Sequence, residues 1–262
     1  MLTAVALAGG VLEPDFRGAG YDVPNKAYLR IGEETMLERV LSALRGASSV
    51  RRIRCVTPPE AYDAEFGELG WELCDEVVEP GAGLIDSLLA GFAGLADDEL
   101  VLVAATDIPL VTSSAIDAFA ESALAKDCDV GYGFVSRASH ERKYPQVRHT
   151  WVRLREGVFC GAGVSLLRAG SASRIAAILQ KVVAYRKSPL RLASLFSVGL
   201  VLKVALGYAH VADIERRADE LTGLRCRGVL SDDPELGVNV DELSDLRAVE
   251  AILAGSDQPA HR

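Results

Sequence analysis

Two aspartates stand directly after apolar runs. Asp107 follows Glu99–Thr106 and is held by Ile108-Pro109, and Asp241 closes Gly237-Val238-Asn239-Val240-Asp241. Carboxylates delivered by two different strands could share one Mg²⁺ and leave its other positions to phosphate oxygens. Each also has a plainer reading. Asp107 could favour a helix N-terminus through its charge, although it lies five residues ahead of the expected cap, Thr112. Asp241 could be the N-cap of the helix that follows it. Near the amino terminus, Leu7-Ala8-Gly9-Gly10 opens a loop, Val11–Asn25, that ends at Lys26. Glycines there let backbone N–H groups approach a phosphate closely. The same pair also suits a tight turn, and Lys26 also suits a solvated surface. The loop is neither G-x-G-x-x-G nor G-x-x-x-x-G-K-[ST], which argues against a dinucleotide fold and a Walker loop. A second glycine loop, Gly81-Ala82-Gly83-Leu84-Ile85-Asp86-Ser87, could bring backbone amides and the Ser87 hydroxyl to a ligand. It could equally be a plain connection capped by Asp86 or Ser87.

A third feature is local charge. Residues 137–155 carry Arg137, Arg142, Lys143, Arg148, Arg153 and Arg155 against Glu141 alone, a net +5 in a chain of net −9. That asymmetry suits an anion site, or a solvated strand and loop. His149 lies in the same stretch, and a lone histidine is more often structural. Asp127-Cys128-Asp129 is a D-x-D string, but it precedes a strand rather than following one and reads as a turn.

The elements that would position these groups alternate through the first 135 residues. Strands are expected at Thr3–Ala8, Arg51–Thr57, Glu76–Glu79, Glu99–Thr106 and Asp129–Val135. Helices are expected from the Thr35–Glu38 capping box to about Leu44, then at Pro58–Leu69, Asp86–Ala96 and Thr112–Lys126. Apolar strands alternating with helices predict a three-layer α/β/α, Rossmann-like, mainly parallel sheet. In open sheets of this kind ligands sit beyond the carboxyl ends of the strands, where both aspartates and both glycine loops fall. The second half is less regular. Thr150–Arg155 reads as a half-exposed strand with Val164–Leu167 as its partner. Ala172–Tyr185, Leu190–Leu206 and Val211–Leu221 read as helices, Arg225–Leu230 and Gly237–Asp241 as strands, and Glu242–Leu253 as a closing helix. No linker divides the chain, so 1–262 reads as one domain with a helical insertion at 170–221.

Composition excludes several classes. Half of the residues are hydrophobic, enough to support a core. The acidic balance argues against a nucleic-acid partner. Cys55, Cys74, Cys128, Cys160 and Cys226 are odd in number and widely spaced, which fits reduced buried thiols in a cytoplasmic protein rather than a disulfide frame or zinc site. Leu2–Ala8 is too short for a signal peptide and Leu192–Leu202 too short to span a membrane. The latter run, flanked by Arg186, Lys187 and Arg191, would serve as core, as the contact of a homodimer, or as a lid.

The pieces occur in one order: Ala8-Gly9-Gly10, Lys26, Leu37-Glu38-Arg39-Val40-Leu41, Gly81–Ser87, Thr106-Asp107-Ile108-Pro109-Leu110-Val111-Thr112, and Asn239-Val240-Asp241-Glu242-Leu243-Ser244-Asp245-Leu246. That series resembles the sugar- and cofactor-nucleotidyltransferases with a GT-A-like fold, among them the molybdenum-cofactor guanylyl- and cytidylyltransferases and the methylerythritol phosphate cytidylyltransferases. It covers roughly residues 1–135 and 225–255. The resemblance implies that Leu7, Ala8, Gly9 and Gly10 wrap nucleotide phosphates and that Lys26 neutralises the triphosphate. It implies that Asp107 and Asp241 bind Mg²⁺ and that Gly81, Gly83, Ser87 and Thr106 contact the nucleotide. The usual first loop carries serine, arginine, methionine and glycine. Here it reads Val11-Leu12-Glu13-Pro14-Asp15-Phe16-Arg17-Gly18, with Arg17 as the substitute for the loop arginine. The 137–221 region matches no acceptor pattern, though Arg186-Lys187-Ser188-Pro189-Leu190 resembles a group of bacterial nucleotidyltransferase-like proteins.

The implied activity is transfer of NMP from an NTP to a phosphorylated small molecule or cofactor precursor, releasing pyrophosphate. Ser87 leans the donor toward CTP, with GTP next, and Arg148, Arg153 and Lys143 are the expected acceptor contacts. The competing expectations are a nucleotide-sugar glycosyltransferase, which would need a D-x-D at a strand end, and a non-catalytic nucleotide sensor.

Overall fold

The structure is a computed structural model that describes residues 1–185 and 195–256. Its centre is an eight-stranded sheet in the spatial order Cys226–Ser231, Val130–Ser136, Gly157–Arg168, Leu100–Ala105, Leu2–Leu7, Val50–Val56 and Glu76–Val78, with Val152–Leu154 alongside Gly157–Arg168. The strands of the first half are β1 (Leu2–Leu7), β4 (Val50–Val56), β5 (Glu76–Val78) and β6 (Leu100–Ala105), and they pair with one another in parallel. They read as near-continuous apolar runs because helices cover both faces. A two-stranded ribbon, β2 (Arg30–Ile31) with β3 (Glu34–Thr35), stands apart. The other strands are β7 (Val130–Ser136), β8 (Val152–Leu154), β9 (Gly157–Arg168) and β10 (Cys226–Ser231).

One sheet face is covered by helices at Met36–Gly46 and Ser113–Leu124, whose Leu37, Leu41, Ile116 and Phe119 meet Ala4, Ile53 and Leu102. Each of these helices has the cap its sequence announces. Thr35 accepts from the Glu38 N–H and Thr112 from the Ala115 N–H, satisfying donors that the helix cannot. The other face carries helices at Leu84–Phe92 and Ala172–Tyr185, packed on Val5, Val56, Val101 and Val103. A helix at Val211–Thr222 continues that layer over β10. The expected three-layer, mainly parallel architecture is therefore present. A second, smaller core holds Leu12, Phe16, Leu29, Ile31, Met36, Leu110, Val238, Val240 and Leu246. Four distant stretches of chain meet there, each next to a candidate site residue.

The second half departs from expectation in two places. Val164–Leu167 is the end of the long strand β9, which lies antiparallel between β6 and β7, and β8 pairs instead with Gly157–Phe159. The Gly161-Ala162-Gly163 run interrupts the apolar pattern and hides one strand as two. Gly237–Asp241 is not a strand. Pro234–Gly237 forms a 3₁₀ turn, and Val238 and Val240 alternate inward only because the small core lies beneath them. Of the expected Leu190–Leu206 helix, residues 190–194 lie outside the described residues, as do 186–189 before it. The described part, Val198–Ala205, has no buried side chain, and Val198, Val201 and Leu202 are exposed. Its other face, with Leu200 and Val204, packs partly buried against Leu154, Phe159 and Ala209. All five cysteines are free and buried. Among the described residues no helix is long and apolar enough to cross a membrane.

Candidate active site

The site is assembled from strand ends. The Ala8 N–H, at the end of β1, donates to the Val56 carbonyl at the end of β4. Thr106, just beyond β6, donates its hydroxyl to the Leu7 carbonyl at 2.8 Å. These bonds hold the first glycine loop to its neighbours, and Gly10 turns with φ +116°, a conformation few other residues adopt. Gly9 lies against Ser87, where a Cβ would come within 2.9 Å of Pro80 and 3.1 Å of the Ser87 hydroxyl. Ser87 is itself buried and accepts from the Gly81 N–H at 3.2 Å. Gly81 is required by space, since a Cβ there would sit 2.2 Å from that of Asp86. Gly83 is the N-cap of the Leu84–Phe92 helix. The two glycine loops therefore touch through one hydroxyl.

Lys26 is placed by its neighbour. Asn25 is buried, donates from Nδ2 to the Ala8 carbonyl at 2.8 Å, and accepts from the Ala27 N–H at 2.9 Å. This ties the 3₁₀ turn Lys26–Tyr28 to the end of β1. The Lys26 ammonium then lies 2.8 Å from Asp107 Oδ2 and 2.9 Å from Asp241 Oδ1, and it donates to the Val240 carbonyl at 3.1 Å. Burial works to lower the pKa of this ammonium. The Asp107 carboxylate, by charge and hydrogen bond, and Asp241 after it outweigh burial and hold the group well above its ordinary value. Asp241 is not a helix cap. Its own N–H and that of Glu242 donate to Asp245, which leaves the Asp241 carboxylate to Lys26 and the Asn239 amide. The Val240 N–H donates to the Asp107 carbonyl at 2.8 Å and clamps the two aspartate segments together.

The charge centre is thus two carboxylates sharing one ammonium. Among the described residues no cluster of three or more His, Cys, Asp or Glu could enclose a metal ion. A pair of carboxylates is nonetheless the donor set that suits Mg²⁺ when substrate phosphates complete its shell.

Beside this centre opens a cleft of about 580 Å³, lined by Asp107, Asp241 and Asp245 and by Arg148, His149 and Thr150. Of the six cations of residues 137–155, Arg148 alone lines it. Lys143 is bound to the buried Glu235 at 2.9 Å, and Arg137 pairs with Glu141 while its guanidinium covers the Trp151 ring. Arg153 packs against Gly207 and Arg155 over Tyr208. Arg17 is exposed on the short helix Pro14–Gly18 within the first loop. The D-x-D string lies at the opposite, amino edge of the sheet. There Asp129 accepts from the Arg225 backbone N–H, and the Arg225 and Arg168 guanidiniums add to it, holding its carboxyl near a pKa of about 2. It is a structural turn, and the requirement of a glycosyltransferase is unmet.

Several contributors were not found from sequence. Asn25 and Asn239 act only through contacts made after folding, although Asn25 directly before Lys26 is an Asx-turn signal. Tyr132 and Gly161-Ala162-Gly163 line the cleft, and the run of small residues inside a strand was the available signal. His149 is backed by the fully buried His140, Nε2 to Nε2 at 2.8 Å. Burial lowers both imidazoles, His140 to about 4, so the pair is neutral at pH 7, one ring donating and one accepting.

Residues 4–191 match the family model of the MobA-like NTP transferase domain. Among solved structures, a hypothetical transferase from Thermus thermophilus is 30% identical with a TM-score of 0.78, over 94% of this chain and 99% of that one. A 4-diphosphocytidyl-2C-methyl-D-erythritol synthase superposes with a TM-score of 0.58 at 17% identity, covering 96% of this chain and 98% of its own. A nucleotidyl transferase from Methanothermobacter thermautotroptrophicus superposes with a TM-score of 0.55 at 21% identity, covering 97% and 99%. The last two likenesses are of fold.

Proposed function

The chain belongs to the MobA-like NTP transferase family and is a nucleotidyltransferase, and from that premise we propose that it transfers NMP from CTP, or next from GTP, to a phosphorylated small molecule or cofactor precursor. The observation that carries the site is Lys26 held between Asp107 and Asp241, between the paired glycine loops and the polar cleft. An oxygen of the acceptor phosphate attacks the α-phosphorus and forms a new phosphoanhydride. The α–β bond breaks and its electron pair leaves with pyrophosphate. No covalent enzyme intermediate is needed, so the protein's task is positioning and charge neutralisation. Lys26 supplies a permanent positive charge at the triphosphate. Gly9, Gly10, Gly81 and Gly83 supply close backbone approach, Leu7, Ala8, Ser87 and Thr106 fix those loops, and Arg17 covers the outer phosphates from the first loop. Asp107 and Asp241 would hold Mg²⁺, which when bound neutralises developing phosphate charge. Arg148 meets the acceptor phosphate. Arg153 and Lys143 stand away from the cleft in this structure and enter the reading only as more distant contributors to its potential. A cytoplasmic setting fits the five buried free thiols. The exposed Val198, Leu202 and Leu206 support a homodimer contact.

The test is a thermal-shift panel of CTP, GTP, UTP and ATP with and without Mg²⁺. A ligand that binds only the folded state adds about 2.7 kcal/mol at a hundredfold excess over its dissociation constant. One NTP is expected to give a Mg²⁺-dependent shift that Asp107→Asn and Asp241→Asn abolish without changing the far-UV spectrum. No shift with any of the four overturns the donor site.

A further inference from the structure

A second cavity, of about 410 Å³, lies between the sheet and the Val211–Thr222 helix. Its walls are apolar: Phe134, Leu154, Phe159, Ile175, Val211 and Ile214. Two glycines leave the room that the Tyr132 and Phe134 side chains occupy. A Cβ at Gly161 would meet the Tyr132 hydroxyl at 2.2 Å, and one at Gly228 would meet the Phe134 ring at 2.8 Å. The cavity is open to water. Tyr132 is 54% exposed and Ile214 38% exposed. A contiguous apolar surface left open inside a fold marks a binding site rather than a core.

Its position says what binds there. Tyr132, Cys160 and Gly161 belong to the walls of both this cavity and the polar cleft. The cleft side presents the Arg148 guanidinium and the charge centre, and the other side presents hydrocarbon and aromatic rings. A molecule crossing at Tyr132 must therefore be anionic at one end and apolar at the other. We propose that the acceptor is an amphiphile, a phosphate monoester whose phosphate meets Arg148 in the cleft and whose apolar part fills the cavity against Phe134, Phe159 and Ile214. Tyr132 stands at the junction, lining both the cleft and the cavity, and is the specificity-determining residue. This rests on the nucleotidyl-transfer reading above.

The experiment is calorimetric titration of the full chain with monoalkyl phosphates from ethyl to octyl, with and without the preferred NTP and Mg²⁺. Affinity is expected to rise up to about fourfold for each added methylene, which corresponds to about 0.8 kcal/mol, and to level off once the cavity is full. Ile214→Asp, at a half-open position, should flatten the series and leave the NTP thermal shift unchanged. Ala218→Trp, which fills the cavity from the same helix, should do the same by exclusion. A flat series in the wild-type protein, beside an intact NTP shift, overturns this inference and leaves transfer standing. So does a chain-length dependence that both variants retain. A length dependence that both variants lose, in a protein that binds no NTP, supports the cavity and overturns transfer. Absence of both overturns both.

Discussion

Asn25→Ala tests whether Lys26 is placed by the loop before it. Asn25 is 3% exposed and makes two hydrogen bonds, one to the Ala8 carbonyl and one from the Ala27 N–H. Truncation removes both and strands two backbone groups away from water. Two bonds at about 1 kcal/mol each, with part of the desolvation cost of the orphaned groups, come to about 3 kcal/mol. For 262 residues the unfolding entropy is about 0.55 kcal/mol per degree, so melting should fall by about 5 °C. The functional loss should exceed the stability loss. At a temperature where the variant is fully folded, transfer with the preferred NTP should fall at least tenfold, because Lys26 no longer returns to one position. Asn25→Asp separates the two bonds. It keeps an acceptor for the Ala27 N–H but sets a carboxylate oxygen against the Ala8 carbonyl, so it should melt no higher than the alanine variant. An Asn25→Ala protein that melts within 1 °C of wild type and turns over normally refutes the reasoning. Wild-type melting of Asn25→Asp refutes the link to β1 alone.

Lys26→Met should cost about a hundredfold to a thousandfold in kcat, the scale on which a preorganised electrostatic group acts, measured as pyrophosphate release. Its stability deficit should have a definite pH signature. The Lys26 pKa is raised in the folded state, so its contribution is fully present below the unfolded lysine value of about 10.4 and is lost as pH rises beyond it. The deficit in melting should be constant from pH 6 to 9; a deficit that grows toward alkaline pH contradicts the ion-pair assignment. Asp129→Asn should behave in the opposite sense. The native carboxyl titrates near 2, so its stabilisation is present above the unfolded value of about 3.9 and disappears as pH falls toward 2. Urea midpoints of wild type and variant should therefore differ at pH 7 and converge near pH 2, and transfer activity at pH 7 should be unchanged.

The legible parts of the site were those whose signal is local. Asp107 could be read because an apolar strand ends one residue before it, and Lys26 because a glycine loop leads to it. The hidden parts depend on partners far along the chain. Lys143 counted as a free cation until Glu235, 92 residues later, was found to hold it. Asn25 needed the carbonyl of Ala8, which only the strand order brings near. The alternation of Val238 and Val240 was real, but alternation reports burial on one side and not a strand neighbour. The fold itself was clearer at β1, β4, β5 and β6, which pair in parallel with one another. It was obscured at β9, whose partners β6 and β7 both precede it and whose glycines break the period.

The small core that joins Phe16, Leu110, Val240 and Leu246 has a temporal consequence. Lys26 and Asp241 are 215 residues apart in the chain. At 5–20 residues per second of synthesis, roughly 10 to 40 s separate the translation of the ammonium from that of its second carboxylate. Through that interval the glycine loops and Lys26 exist without the charge partner and without half of the apolar cluster that clamps them. The charge centre is therefore completed in one late step, when the segment around Asp241 docks, and on the function proposed above a nascent chain should turn over no nucleotide before it.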